Sequence, residues 1–185
     1  MPIQTHHVDR TLTVLRRLGF SLATDPEIEA GRAAAVQLVG EAIATADTLR
    51  RVQARTGCAC FVARADEGFS AAVSAIPLTP LALPDLAKGQ FDALAPLDAL
   101  VARPGDPVAA IYIWGAAGLS WRGRMLAVAA AQALVCEVHP TLPSYARAAT
   151  SEGEHILQHR LGARPVRGPG GLVMAPPHHP QRRAA

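Results

Sequence analysis

One stretch near the middle of the chain decides the fold: residues 108–124, which read VAAIYIWGAAGLSWRGR. Residues 108–114 are apolar without a break, and this pattern predicts a strand that is buried on both faces. Residues 115–119 contain two glycines and predict a loop. Ser120 suits the N-cap of a helix that we expect to run from Trp121 through Val135. The stretch therefore predicts a buried strand, a loop and a helix at the heart of an α/β fold.

The first turn of this predicted helix carries two arginines, Arg122 and Arg124. Cations are unfavourable there because a helix N-terminus already bears partial positive charge, and Gly123 costs about 1 kcal/mol of helix propensity. Both features suit an anion site, since backbone N–H groups bind phosphate, arginine adds bidentate contacts and glycine permits close approach. An ordinary solvated helix start with two surface arginines explains the local segment equally well.

Helices and a hairpin are predicted before this stretch. Residues 8–20 suit a short amphipathic helix. Capping-box spacing of Thr24 and Glu27, followed by an apolar period near 3.6, predicts one long surface helix that ends near Gly57. Residues 58–65 and 69–78 read as two strands around the turn Asp66-Glu67-Gly68. Prolines divide the following segment into short turns.

The C-terminal part continues the alternation of strands and helices. We expect a short strand at 144–148, a helix from Ser151 to Leu161 and a final hairpin of residues 164–167 and 172–175. The whole reads as one domain, residues 1–176, with N-terminal helices in 1–57 and the sheet in 58–176. Residues 177–185 read as a flexible tail.

The composition indicates a globular protein and argues against several function classes. The chain has 185 residues, 50% of them hydrophobic, and a formal net charge of +3. The sequence has no block of five like charges and no alternation of basic and aromatic residues. The two patterns that would indicate nucleic-acid binding are therefore missing. The longest apolar run, residues 125–136, is about half a membrane span, and the N-terminus lacks the apolar region of a signal peptide. We expect a cytoplasmic protein without membrane contact.

Cysteines and histidines do not predict a metal site. Cys58 and Cys60 stand two apart and Cys136 is distant, so buried thiols are the better interpretation than a disulfide framework or zinc ligands. The other conspicuous histidines lack a third ligand, and we expect them to be exposed: His155 and His159, one helical turn apart, and the terminal pairs His6–His7 and His178–His179.

Residues 120–127 resemble the pyrophosphate loop of the GNAT superfamily of N-acyltransferases, Arg/Gln-x-x-Gly-x-Gly/Ala. Arg122 matches its first position and Ala127 its last, while Met125 replaces the central glycine. Residues 145–153 and 157–166 resemble the closing strand, helix and corner of the family, with Ala163 in place of the usual phenylalanine. The resemblance covers about residues 58–175. Residues 106–120 are also similar to toxin-activating lysine acyltransferases, which use a carrier-protein donor, but their Ser-Pro-x-His motif is absent.

The resemblance implies a GNAT-like α/β (α+β) fold, with a mixed, mostly antiparallel central sheet flanked by helices. It also implies a cleft for acyl-CoA, as substrate, between the strand ending at Trp114 and the strand from Ser144. No metal is implied, and a homodimer is one expectation because such proteins often dimerise. The residues that it assigns to acyl-CoA are Trp114, Gly115 and Ala116 for the pantetheine arm, and Arg122, Gly123 and Arg124 for the pyrophosphate.

Candidates for proton transfer follow from the same resemblance, in which an amine attacks the thioester carbonyl with help from a base and an acid. Many relatives place a tyrosine four residues before the corner glycine, where this chain has Gln158. Tyr145 is the nearest alternative acid, and Glu137 and His139 are candidate bases facing the cleft. A structural tyrosine and a solvated loop pair are the competing interpretations.

Two functions therefore stay open. The first is an N-acyltransferase that moves an acyl group, expected to be acetyl, from acyl-CoA to an amine on a small molecule or protein. The second is a catalytically silent GNAT-like module that binds a partner, which the departures at Met125, Gln158 and Ala163 favour.

Overall fold

Seven strands form the central sheet of the computed structural model, which describes residues 3–40, 43–66, 68–168 and 171–178. Their spatial order is β2-β3-β4-β6-β7-β9-β8, and a separate pair, β1 and β5, is antiparallel. The strands are β1 (Gln4–Thr5), β2 (Phe20–Leu22), β3 (Cys60–Ala65), β4 (Gly68–Leu78), β5 (Pro107–Val108), β6 (Ala110–Gly118), β7 (Ser144–Arg147), β8 (Arg164–Pro165) and β9 (Leu172–Ala175).

Six α-helices accompany the strands within the described residues. They are α1 (Val8–Arg17), α2 (Asp25–Val39), α3 (Ala46–Thr56), α4 (Leu83–Ala87), α5 (Trp121–Ala133) and α6 (Ser151–Leu161). Short 3-10 turns lie at Pro80–Ala82 and Asp98–Leu100, and α5 continues into a π-helical turn, Leu134–Val138. None of the described helices has the length and apolar character needed to cross a membrane.

A single parallel pair interrupts an otherwise antiparallel sheet. β6 and β7 run parallel and are joined by α5, and the other neighbouring strands of the sheet are antiparallel. A parallel pair needs such a crossover because its second strand must start at the same end as the first. The arrangement confirms the predicted mixed, mostly antiparallel sheet flanked by helices.

Hydrophobic side chains form a core on each face of the sheet. Alternate residues of β6 divide between the two cores, with Ile111 and Ile113 on one face and Ala110 and Tyr112 on the other. The first face, which we call the α5 face, is covered by α1, α5 and part of α6. The second, the α3 face, is covered by α2, α3 and residues 79–101. Burial on both faces explains why the β6 sequence is continuously apolar.

The long N-terminal helix predicted to end near Gly57 is instead two helices. α2 ends at Gly40, which adopts a φ of +84°, a conformation that side-chain-bearing residues rarely adopt. α3 starts afresh at Thr45, whose hydroxyl accepts a hydrogen bond from the Thr48 N–H at 3.1 Å. The predicted capping box of Thr24 and Glu27 is confirmed. The sequence analysis missed β1 and β2, which lie among the helices predicted for residues 1–57.

The loop predicted at residues 115–119 is also wrong, because β6 continues to Gly118. β4 is long enough to pair with this extension, from Ser74↔Gly115 to Ala71↔Gly118. The hairpin of residues 58–65 and 69–78 and the antiparallel pairing of residues 164–165 with 173–174 are confirmed. Most of the tail predicted at 177–185 lies outside the described residues, which end at 178.

α5 approaches the sheet closely at its first turn. A Cβ at Gly123 would overlap the Ser70 carbonyl oxygen of β4, and a Cβ at Gly118 would overlap the backbone of Gly123 and Arg124. The Leu119 N–H donates to the same Ser70 carbonyl at 3.1 Å. Two glycines therefore let the end of β6 turn directly into α5 against β4.

We expect Gly123→Ala to lower the free energy of unfolding by about 1–3 kcal/mol, because the added methyl group must displace backbone atoms that cannot move independently. Gly31→Ala is the matched control: it lies in α2 with nothing within 4 Å of its Cβ, and we expect it to be neutral or stabilising by up to about 1 kcal/mol. Urea denaturation of both variants measures the difference. Equal stability of the two variants would contradict the close approach.

Candidate functional site

A cleft opens where β6 and β7 part. The two strands pair only from Ile111↔Ser144 to Ile113↔Ala146. Beyond this point β7 continues to pair with β9 through Arg147↔Leu172, while β6 runs on for five residues beside β4 alone. The β6 edge at residues 114–118 is therefore without a strand partner on the β7 side, among the residues that the structure describes. Unpaired backbone N–H and C=O groups on such an edge are free to bind a ligand.

A bulge lies at the start of this free edge. The register between β4 and β6 shifts from Ala75↔Ile113 to Ser74↔Gly115, so Trp114 has no partner residue on β4. A bulge bends its strand and increases the local twist, which helps to turn β6 away from β7. Gly115 and Ala116 follow the bulge and are exposed. The three residues predicted to face a pantetheine arm thus begin the free edge.

The free edge leads into the N-terminus of α5. The Ser120 hydroxyl accepts a hydrogen bond from the Gly123 N–H at 3.1 Å, which confirms the predicted N-cap. The N–H groups of Trp121 and Arg122, at the first two helical positions, have no acceptor within the helix. Both Arg122 and Arg124 are exposed, and neither forms an ion pair with another described residue. This end of the cleft is therefore positively charged.

Gly123 has a packing role that the sequence analysis did not predict. Its N–H is already bonded to Ser120, and the absent side chain faces Ser70 and Gly118 rather than the solvent. Glycine is required here for packing of the helix on the sheet. Met125, which replaces a glycine in the family pattern, is exposed on α5, as is Trp121.

Tyr145 lies one residue before the point where the strands part. It is the register partner of Tyr112 and packs, half-buried, against the core of the α3 face. Burial raises the pKa of its phenol, so the group is protonated at neutral pH, as an acid must be. Its hydroxyl makes no hydrogen bond with the other described residues.

Side-chain hydrogen bonds attach residues 89–93, which cover the α3 face, to the two strands beside the cleft. The Trp114 indole N–H donates to the Ala93 carbonyl at 2.8 Å. The Arg147 guanidinium donates to the carbonyls of Phe91 and Gly89, at 3.0 and 3.2 Å. The sequence analysis missed this role of Arg147, because its partners are backbone carbonyls more than 50 residues away in sequence.

Glu137 and His139 lie at the opposite end of α5, contrary to the expectation that they face the cleft. About 20–25 Å separates them from Arg122 along the helix, at 1.5 Å per residue. The Glu137 carboxylate is exposed and pairs with Arg17 of α1. His139 is only 5% exposed and bonds through Nδ1 to the Gln4 side chain at 3.3 Å. α5 runs back along β6, so its C-terminal end reaches the start of the strand.

The remaining predicted histidine and cysteine environments are mostly confirmed. Cys58 and Cys60 are buried, and burial raises the pKa of these thiols to about 11 and about 12. His155 and His159 are exposed on α6. His6 contradicts the prediction of an exposed pair, because it is 2% exposed. Within the described ranges, no group of three or more metal-ligating side chains could hold an ion.

Within the described residues, the mixed, mostly antiparallel sheet flanked by helices is the architecture that the resemblance implied, and β6 and β7 are the neighbouring strands between which it placed a cleft. No protein-family model and no curated protein sequence matches the chain.

Two solved structures are similar to it. One is described as histone acetyltransferase HPA2 and related acetyltransferase from Corynebacterium glutamicum; it is 19% identical over 88% of this chain and 97% of its own, with a TM-score of 0.48. The other is described as the GphF GNAT-like decarboxylase in complex with isobutyryl-CoA; it is 17% identical over 82% of this chain and 80% of its own, with a TM-score of 0.44.

We expect the buried His139 to make the protein less stable in acid. Burial lowers its pKa to about 3 from an unfolded value of 6.5, so between these pH values the unfolded chain binds a proton that the native protein excludes. Stability therefore falls as the pH falls below 6.5, and His139 alone accounts for about 2 kcal/mol between pH 7 and pH 5.

Urea denaturation across this pH range tests the expectation. His139→Asn keeps a donor at the position of Nδ1 but cannot titrate, so its stability should change less with pH than that of the wild type. His155→Asn, at an exposed site, should follow the wild-type pH dependence. Parallel profiles for all three proteins would show that His139 is not the group responsible.

Proposed function

We propose that this chain binds acyl-CoA in the cleft between β6 and β7 and transfers the acyl group to an amine. The observation that carries the proposal is the free β6 edge, which ends at a helix N-terminus bearing two exposed, unpaired arginines within the described residues. An extended ligand with amide groups at one end and a diphosphate at the other matches this order of binding groups. The pantetheine arm and pyrophosphate of coenzyme A have that order.

The binding roles follow from the chemistry of each group. Backbone N–H and C=O groups of Trp114, Gly115 and Ala116 would bond to the pantetheine amides as an added strand does. The N–H groups at the start of α5 and the guanidinium groups of Arg122 and Arg124 would bind the pyrophosphate. Gly123 would act indirectly, by seating the helix start against β4.

A small acyl group fits the surroundings best. A small, mostly apolar cavity adjoins the last β6–β7 pair beneath α6, with Ile113 and Ala146 in its wall. Other walls are formed by Leu157, Leu161 and Ala163. A thioester at the point where the strands part would direct its acyl chain to this cavity, which supports acetyl as the transferred group.

Tyr145 is the proton donor that we propose for the departing thiolate. It is half-buried beside the parting point, and burial keeps its phenol protonated. The amine attacks the thioester carbonyl and forms a C–N bond, the C–S bond breaks, and the phenol protonates the sulfur. The nitrogen releases its extra proton to solvent, and the phenolate regains a proton from solvent. Neither Glu137 nor His139 takes part in this proposal, because both lie at the other end of α5.

Binding of coenzyme A tests the site itself. We expect Arg122→Glu to raise the Kd for coenzyme A about 10–100-fold, because the substitution removes a charge-assisted hydrogen bond and adds a repulsive charge. Arg103→Glu makes the same charge change in the turn before β5, at the other end of β6, and should bind normally. Isothermal titration calorimetry measures all three proteins. Absence of wild-type binding, or an equal effect of both substitutions, would refute the assignment of the cleft.

Turnover tests the proposed acid. We expect Tyr145→Phe to lower kcat for acetyl transfer by about 100-fold or more while the Kd for coenzyme A stays unchanged, because only the proton is lost. Glu137→Gln should leave both constants unchanged. Release of free coenzyme A in the presence of a panel of amines, including peptide N-termini and lysine side chains, reports the reaction. A Tyr145→Phe protein with wild-type kcat would exclude the phenol.

A catalytically silent module is the second candidate function. The position where many relatives carry a tyrosine holds Gln158, which is exposed and bonds to Glu154 on the same helix. Binding of coenzyme A without turnover for any amine would favour this candidate over the enzyme.

A further inference from the structure

A cavity about the size of one water molecule lies between the N-terminal segment and the C-terminal end of α5, remote from the cleft. Its polar lining consists of the side chains of His6, Thr11, Cys58 and His139, and the rest of its wall is apolar. His6 and His139 are almost completely buried. The Nδ1 atom of His6 is buried and has no hydrogen-bond partner within the described part of the chain. A buried polar atom without a partner lowers the stability of the native protein unless something bonds to it.

The tautomer of His6 follows from its other nitrogen. Nε2 lies 2.8 Å from the Thr56 carbonyl oxygen, which can only accept, so Nε2 must carry the hydrogen. In the neutral ring Nδ1 is then a bare acceptor. Burial lowers the pKa of this imidazole, which keeps the ring neutral at physiological pH. The cavity therefore contains an acceptor that lacks a donor.

His139 presents the complementary arrangement. The Gln4 amide nitrogen donates to the Thr141 hydroxyl at 2.7 Å, which leaves the amide oxygen of Gln4 facing His139 Nδ1 at 3.3 Å. That oxygen only accepts, so Nδ1 of His139 carries the hydrogen and Nε2 is its acceptor. Two neutral imidazoles thus line one cavity, each with one acceptor nitrogen. They cannot bond to each other, because neither has a hydrogen left to donate.

We propose that one buried water molecule occupies this cavity and donates one hydrogen to His6 Nδ1 and the other to His139 Nε2. A water molecule has the two donors that the pair requires. Its oxygen can accept from the Cys58 thiol, which lines the cavity, whereas the Thr11 hydroxyl already donates to the His7 carbonyl at 3.3 Å. The buried, unpartnered His6 nitrogen and the size of the cavity suit a buried water, which typically makes about three hydrogen bonds.

The water would join the first residues of the chain to the far end of α5. His6 is continuous with β1, whose residues Gln4 and Thr5 pair with β5. The His6 N–H donates to the Asp106 carbonyl at 2.9 Å, and the Gly105 N–H donates to the His6 carbonyl at 3.0 Å. The bridge therefore connects the N-terminal segment, which pairs with residues 105–108, to the end of α5. This contact depends on both imidazoles being neutral.

Other ionisable groups surround the pair. Arg10 and His7 approach from the start of α1 and disfavour a cation on His139, while Asp106 favours one on His6. Glu137, in the π-helical turn, is engaged by Arg17. Protonation of either imidazole turns its acceptor nitrogen into a donor, and the water can no longer donate to it. The bridge should therefore be lost in acid.

Nitrogen-15 NMR of histidine-labelled full-length protein at pH 7 tests the tautomers. We expect His6 to be neutral with its proton on Nε2 and His139 to be neutral with its proton on Nδ1. A nuclear Overhauser effect from long-lived water to the ring protons of both residues should accompany them. Either ring in the other tautomer, a cationic ring, or a direct bond between the imidazoles would overturn the proposal.

A matched pair of variants separates the bridge from folding. His6→Leu removes Nδ1 and introduces no other acceptor, so the water signal at His139 should disappear. His7→Gln changes the exposed neighbour and should retain the signal. A signal that persists at His139 in a folded His6→Leu protein would show that His6 does not hold the water, and the proposal would be wrong.

Discussion

The close contact between the first turn of α5 and the Ser70 carbonyl of β4 is the constraint on which the rest of the arrangement depends. It requires glycine at both positions 118 and 123, because a side chain at either would push the helix away from the sheet. With the helix held there, β6 remains beside β4 to its last residue. β7 has no comparable contact with the end of β6 and remains paired with β9 instead. The cleft is the space that this unequal pairing leaves.

This constraint also divides the molecule into two ends with different chemistry. α5 starts at the end of β6 and runs back to the beginning of that strand. The two ends of the helix therefore lie near opposite ends of β6. The start carries two exposed arginines and unsatisfied N–H groups, which suit an anionic ligand. The far end carries two buried, neutral histidines, His6 and His139, beside the N-terminal segment. The exposed, unpaired arginines thus lie at the end that would meet the ligand, and the buried titratable histidines lie at the other end.

Much of the cleft could be predicted from the sequence because its elements are local. The apolar run of residues 108–114, the Ser120 cap and the paired arginines each act through neighbours in the chain. The extension of β6 to Gly118 could not be predicted, because glycine and alanine have low intrinsic preference for strands and only pairing with β4 holds them there. Likewise, the split of the long N-terminal helix at Gly40 was hidden by an apolar period that continues through it.

By itself, the sequence determined the order of most strands and helices and the candidate anion-binding turn, since these depend on periodicity and capping within a few residues. The mixed character of the sheet was implied only by the family resemblance. Only the tertiary structure decided which candidates share a site. Residues 122 and 139 belong to the two ends of one helical segment, and the length of the helix keeps them far apart. Parallel pairing of β6 with β7, in contrast, brings residues 113 and 146 together. Likewise His6 read as part of an exposed terminal pair until Thr56, Cys58 and His139, distant in sequence, enclosed it. Burial is a property of what folds over a residue, and the local sequence does not contain it.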